Sequence, residues 1–128
     1  MKYQILSSMF SALILRVVMG IIFVSHGAAR IYYGSVSEFG SFLDGKGFMI
    51  GFFLAWLITI GEVVFGTLLA AGYKVKYSVI FHAVVILGGL VLIHIPQGWF
   101  VVRHGSGGVE YSLLILAVLL FLYSKGKN

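Results

Sequence analysis

Eight side chains in this sequence can carry charge or a proton while lying in or beside long apolar runs: Arg16, His26, Arg30, Glu62, His82, His94, Glu110 and Tyr111. Such groups are costly in an apolar medium, so each one calls for a partner or a task. His26 and Arg30 are four residues apart, which places them on adjacent turns of one helix face. His94 closes a third apolar run, and Glu110 opens a fourth with Tyr111 beside it. If those ends meet at one membrane face, His26, Arg30, His94, Glu110 and Tyr111 form an outer layer. That layer can bind an anion, pass protons, or hold the head group of a lipid-soluble ligand such as a quinone. Arg16, Glu62 and His82 form a second, buried polar layer: their estimated depths fall within about two helical turns. This predicts an Arg16–Glu62 ion pair with His82 as its third member.

Each assignment has a structural counterpart. A carboxylate at a helix start is favoured by the unpaired amides and the helix dipole, so Glu110 can cap its helix without touching a ligand. An Arg–Glu pair between helices can set their register as readily as it can take part in chemistry. On sequence alone both readings stand. Haem is disfavoured, because His82 and His94 are twelve positions apart on one helix and point about 120° apart. His26 and His94 share a depth, but near the aqueous edge. The spacing of His26, His94, His104 and Glu110 matches no compact metal site, so no metal is expected.

The elements that must position these groups follow from composition. Of 128 residues, 60% are hydrophobic and only 10% charged, against about a quarter charged in soluble domains. Four apolar segments emerge, at about 12–33, 48–73, 77–95 and 109–124. At about 1.5 Å per residue each crosses most or all of a hydrocarbon core of roughly 30 Å. The first is longer than a signal-peptide core and three more follow, so it reads as a retained span. The chain is therefore expected to be all-α, a transmembrane four-helix bundle forming one domain over residues 1–128, with no soluble head.

Charge orients it. Lys2, Lys74, Lys76, Lys125 and Lys127 fall on one side, against Lys46 and Arg103 on the other. The positive-inside bias predicts a multi-pass protein of the cytoplasmic (inner) membrane with both termini cytoplasmic and the 34–47 and 96–108 loops outside. The basic excess is dispersed and follows no zinc-finger or basic-helix pattern, so nucleic acid is not an expected partner. Cysteine is absent, which removes thiol chemistry and leaves redox work to a bound cofactor, a quinone or a partner. No nucleotide loop, zinc-protease motif or serine elbow is present. Glycines recur inside the spans, with Gly20 and Gly27 two turns apart, and small residues let helix backbones approach closely in lipid.

Three stretches carry a family resemblance: "RVVMGIIFVSHGAAR" (16–30), "GEVVFGTLLAAG" (61–72) and "GWFVVRHGSGGVEYSLLILAVLLFLY" (98–123). With them the chain resembles the DoxX family of small four-span membrane proteins. The resemblance implies a link to quinone-dependent oxidoreduction or oxidative-stress systems. It also marks Arg16, Gly20, His26, Gly27, Arg30, Glu62, Gly66, Gly98, Phe100, Gly108, Glu110 and Tyr111 as motif positions. Two functions are expected from this: a membrane subunit of such a system that binds quinone or moves protons, or a non-catalytic module that assembles with partner proteins. Membrane lipid, redox partner proteins and a second copy of the chain are the expected partners. A carrier or channel is disfavoured, since four spans leave little room for a pathway.

Overall fold

A computed structural model describes residues 7–126. The first helix, α1 (Ser8–Tyr32), begins where the Ser7 hydroxyl accepts a hydrogen bond from the Phe10 amide at 3.0 Å, satisfying one of the free donors at the helix start. It continues unbroken for 25 residues. Met19, Gly20, Phe23 and Gly27 lie on its buried side, while Met9, Ile14, Val18 and Ile21 stay exposed.

The expected 34–47 loop is in part a helix, α2 (Val36–Gly45). Its buried side is Val36, Gly40 and Leu43, with Phe39 partly buried between them. That is an apolar i, i+3, i+4, i+7 stripe, so the sequence carries the signal, although Glu38, Asp44 and the glycines mask it. A short turn leads to α3 (Gly51–Ala71), whose first amide, on Gly51, donates to Asp44 Oδ1 at 2.7 Å. The acid of the preceding helix thus caps the next one.

Helix α3 ends at Gly72, which takes a left-handed conformation (φ 80°) suited to glycine. Helix α4 (Val75–Gly89) follows after a tight turn. It widens into a π-helical turn over Leu90–His94 and tightens into a 3-10 turn over Ile95–Gln97 that contains Pro96. The last helix, α5 (Glu110–Lys125), has 16 residues.

Helix α1 lies along α3, α2 covers the first turns of α3, and α4 packs on both α3 and α5. One core joins Met19 and Phe23 of α1 to Leu69, Val75, Val79, Ile115, Leu119 and Leu122. A second, smaller one sits beneath α2, around Val36, Leu43 and Ala55.

Three stretches are long and apolar enough to cross a membrane: Ser8–Tyr32, Gly51–Ala71 and Val75–Gln97. Their outward residues are large and apolar, including Phe52, Leu57, Ile60, Val84 and Val91, as a lipid-facing surface requires. The protein is all-α and multi-pass. The described residues contain five α-helices rather than the expected four, and α5 is shorter than the three long ones because the 98–109 segment before it is not helical.

Candidate functional site

Glycine decides how α1 and α3 meet. A Cβ atom added at Gly20 would stand 2.6 Å from the Gly66 carbonyl oxygen and 2.7 Å from the Ala70 Cβ. One added at Gly27 would stand 2.6 Å from the Thr59 carbonyl oxygen. The two backbones therefore touch, running antiparallel, and the register is locked at two points two turns apart.

That register carries Arg30, near the end of α1, to Glu62 and Thr59 of α3. Arg30 Nη1 donates to Glu62 Oε1 in an ion pair, and to Thr59 Oγ1 at 3.3 Å. The guanidinium carbon lies 4.7 Å from the ring centre of Phe39, so α2 adds a cation–π contact from above. Thr59 is fully buried and the Glu62 side chain nearly so, but Arg30 keeps 22% of its side-chain surface exposed. The cluster is anchored inside and open at one edge. A guanidinium carries five N–H donors, and Nη1 alone serves Glu62 and Thr59. The remaining donors can meet a carbonyl or an anion from outside.

The expected Arg16–Glu62 pair does not form. Arg16 faces Gly72, ten residues along α3 from Glu62, which is about 15 Å of helix. The depth estimate failed because the register sets Gly20 against Gly66 and Gly27 against Thr59, so Glu62 lies level with the stretch of α1 between those glycines, while Arg16 lies beyond it at the end of α3.

His82 is not a third member of the Arg30–Glu62 pair either. It is fully buried, with its ring stacked on Phe23 (centroids 3.7 Å apart, planes 6° apart) and the Phe81 ring edge-on at 5.3 Å. Neither ring nitrogen has a hydrogen-bond partner, nor does the buried Ser78 hydroxyl one turn earlier. In the main core, these are the polar atoms that packing leaves unserved.

The outer layer divides. His94 Nδ1 lies 2.5 Å from the Gly107 carbonyl, and Glu110 Oε1 accepts from the Val101 amide at 3.2 Å. Between them the 98–109 segment folds back on itself through Gly107 N to Val101 O, Gly108 N to Phe100 O, Val109 N to Gly98 O and Glu110 N to Trp99 O. Glu110 and His94 thus fasten this loop across the ends of α4 and α5, while Arg30 is engaged by Glu62. His26 and Tyr111 are exposed on their helices. Two contributors to the cluster escaped sequence reading. Thr59 lies three residues before Glu62, on the same face, a signal that was available. Phe39 became visible only once α2 was a helix.

Among the described residues no group of three or more His, Asp or Glu side chains is placed to hold a metal ion. No curated protein and no solved structure matches the chain. The loop at 98–109 and α5 lie beyond the stretch that matches a known family. The glycine contacts between α1 and α3, the ion pair beside them, and the α2 and α4 helices that flank them all lie within residues 11–95, and over those residues, well more than half its length, the chain matches and belongs to the DoxX family.

Proposed function

We propose that this protein is the membrane-embedded part of a redox or oxidative-stress system, and that Arg30, Glu62 and Thr59 hold the head group of a quinone for a partner oxidoreductase. The observation that carries this reading is the half-open ion pair. Its carboxylate and hydroxyl are buried in a membrane-spanning helix, while the guanidinium that bridges them reaches an exposed edge with donors to spare. A quinone carbonyl needs such a donor, and an intramembrane charge held by a second charge stays in place when the ligand leaves. The same three groups can also take part in proton transfer to a bound head group. His26 and Tyr111, exposed on the same side in the expected topology, together with His94 and Glu110 beside the loop, belong to its surroundings.

The arrangement proposed is one domain with four membrane crossings, α5 being the short fourth, in the cytoplasmic membrane with both termini inside. Ser37→Cys is expected to react with an impermeant thiol reagent in intact cells and Ser124→Cys is not. The native chain has no cysteine to interfere. The opposite pattern inverts the topology.

For the site, a short-tailed water-soluble quinone is titrated into detergent-purified wild type, Arg30→Gln and Thr59→Val, with folded fraction followed in parallel. Binding in the wild type, lost in Arg30→Gln and weakened in Thr59→Val at equal folded fraction, is the expected result. No saturable binding in the wild type refutes the quinone assignment.

The second reading, a packing module for partner proteins, is favoured by the Gly20–Gly66 contact and by the fact that Arg30 and Glu62 already satisfy one another. On that reading quinone binds nowhere, and the same substitutions lower stability alone.

A further inference from the structure

A second cationic residue inside the apolar part of α1 has no acidic partner among the described residues. Arg16 is half-buried, and its guanidinium sits directly on the backbone of Gly72, where α3 ends. A Cβ atom at Gly72 would come within 2.8 Å of Cζ, 2.9 Å of Nη2 and 3.1 Å of Nη1. The absence of a side chain there makes the seat. Yet the guanidinium is not consumed by it. Arg16 Nε is buried with no hydrogen-bond partner among the described residues. The carbonyls of Leu68 and Leu69, which a cation at a helix end would otherwise satisfy, already accept from the Tyr73 and Gly72 amides at 3.0 and 3.1 Å. Glu62 is engaged by Arg30.

Every other charge among the described residues at this rim is also positive: Lys74 and Lys76 at the α3–α4 turn, and Lys125 at the end of α5. The lysines are held against aromatic rings. Lys74 Nζ lies 5.6 Å from the Tyr73 ring and 5.7 Å from Tyr77, Lys76 Nζ lies 4.9 Å over Tyr123, and Lys125 Nζ is 3.5 Å from Ser8 Oγ. Tyrosine rings of this kind settle at the level of lipid head groups. The four acidic side chains of the chain, Glu38, Asp44, Glu62 and Glu110, all lie elsewhere.

We infer that this rim binds the phosphate of an anionic lipid, with Arg16 as the principal ligand and Lys74 and Lys76 as its electrostatic surround. A seated guanidinium without a carboxylate partner offers paired N–H donors, which match two oxygens of a phosphate. The lysines contribute point charge rather than fixed geometry. Lipid supplies this chemistry at this depth, where the acyl chains rest on the exposed apolar side chains of α1. Free phosphate shares the chemistry but has no reason to reach a half-buried guanidinium. The inference is independent of quinone binding at Arg30, which lies about 21 Å further along α1.

The test compares thermal unfolding of the whole protein in nanodiscs of phosphatidylcholine and in nanodiscs with phosphatidylglycerol added. The wild type is expected to gain several degrees with the anionic lipid. Arg16→Gln should lose most of that gain, while Lys46→Gln, at the opposite rim, should keep it. Inorganic phosphate added to phosphatidylcholine nanodiscs should give no gain, and a gain equal to that from phosphatidylglycerol would overturn the lipid assignment. An unchanged response in Arg16→Gln, or none in the wild type, would overturn the site itself. Should Arg16→Gln fail to fold, Arg16→Lys, which keeps the charge but not the paired donors, is expected to show a reduced gain, and a full gain there refutes the paired-donor geometry.

Discussion

Between α1 and α3 the backbones touch through Gly20, Gly27 and Gly66, and the contact finishes in an ion pair. Between α4 and α5 the meeting groups are bulky, Val75 and Val79 against Ile115, Leu119 and Leu122, and where α4 faces α1 the buried polar group, His82, is stacked on Phe23 with both nitrogens unbonded. Lipid removes the hydrophobic force that would join helices in water, leaving close packing and polar contacts to hold them. The first interface uses backbone proximity, and proximity brings Arg30 within reach of Glu62. The second uses side-chain bulk, which fills space with apolar contacts and brings no charged pair together. The first is therefore the less tolerant of added volume and the more dependent on charge.

The strongest way to break this contrast is to remove one charge. Glu62→Ala strands the Arg30 guanidinium and is expected to cost about 3 kcal/mol, at the low end for buried pairs because Arg30 can turn toward its exposed edge. In a double-mutant cycle with Arg30→Met the effects should be clearly non-additive, whereas Glu62→Ala with Arg16→Gln should add. Denaturant unfolding in detergent measures both cycles. Coupling to Arg16 instead of Arg30 would contradict the register described above.

Next in size is added volume. Gly20→Ala forces a methyl group against the Gly66 carbonyl and Ala70 and should cost about 2 kcal/mol. Gly88→Ala, on α4 with nothing within 4 Å of the added carbon, should cost nothing and stabilise by up to about 1 kcal/mol, because alanine favours the helix over glycine. Equal effects at the two glycines would remove the distinction between a backbone contact and an ordinary helix surface.

The smallest effect sharpens the packing of α4 on α1. His82→Leu replaces two unbonded ring nitrogens with carbon at similar volume, and should stabilise the protein by about 1 kcal/mol. A loss of stability on this substitution would show that the imidazole has a bonding partner in the membrane.

How far the sequence reaches depends on the kind of force involved. The all-α character, the three long membrane helices and the importance of Arg30, Glu62 and the span glycines were legible, because each follows from local composition: apolar length, the cost of a charge in lipid, and helical spacing. The helix at 36–45 was written in the sequence too, in the stripe of Val36, Phe39, Gly40 and Leu43, but its charged and glycine residues read as loop.

Partner choice was a different matter. Glu62 could have met Arg16 or Arg30, and nothing local distinguishes them. The decision came from where Gly20 and Gly27 let α1 rest on α3, a register set by contacts between residues some thirty to fifty positions apart. Glu110 likewise carries the same charge whether it caps a helix, binds a ligand or ties down a loop. Only the folded path of residues 98–109 brings the Val101 amide to it. Composition and periodicity determine which groups must be reckoned with in the membrane; which of them meet is decided by interhelical register, because a shift of a single turn, about 5.4 Å, exceeds the reach of a hydrogen bond.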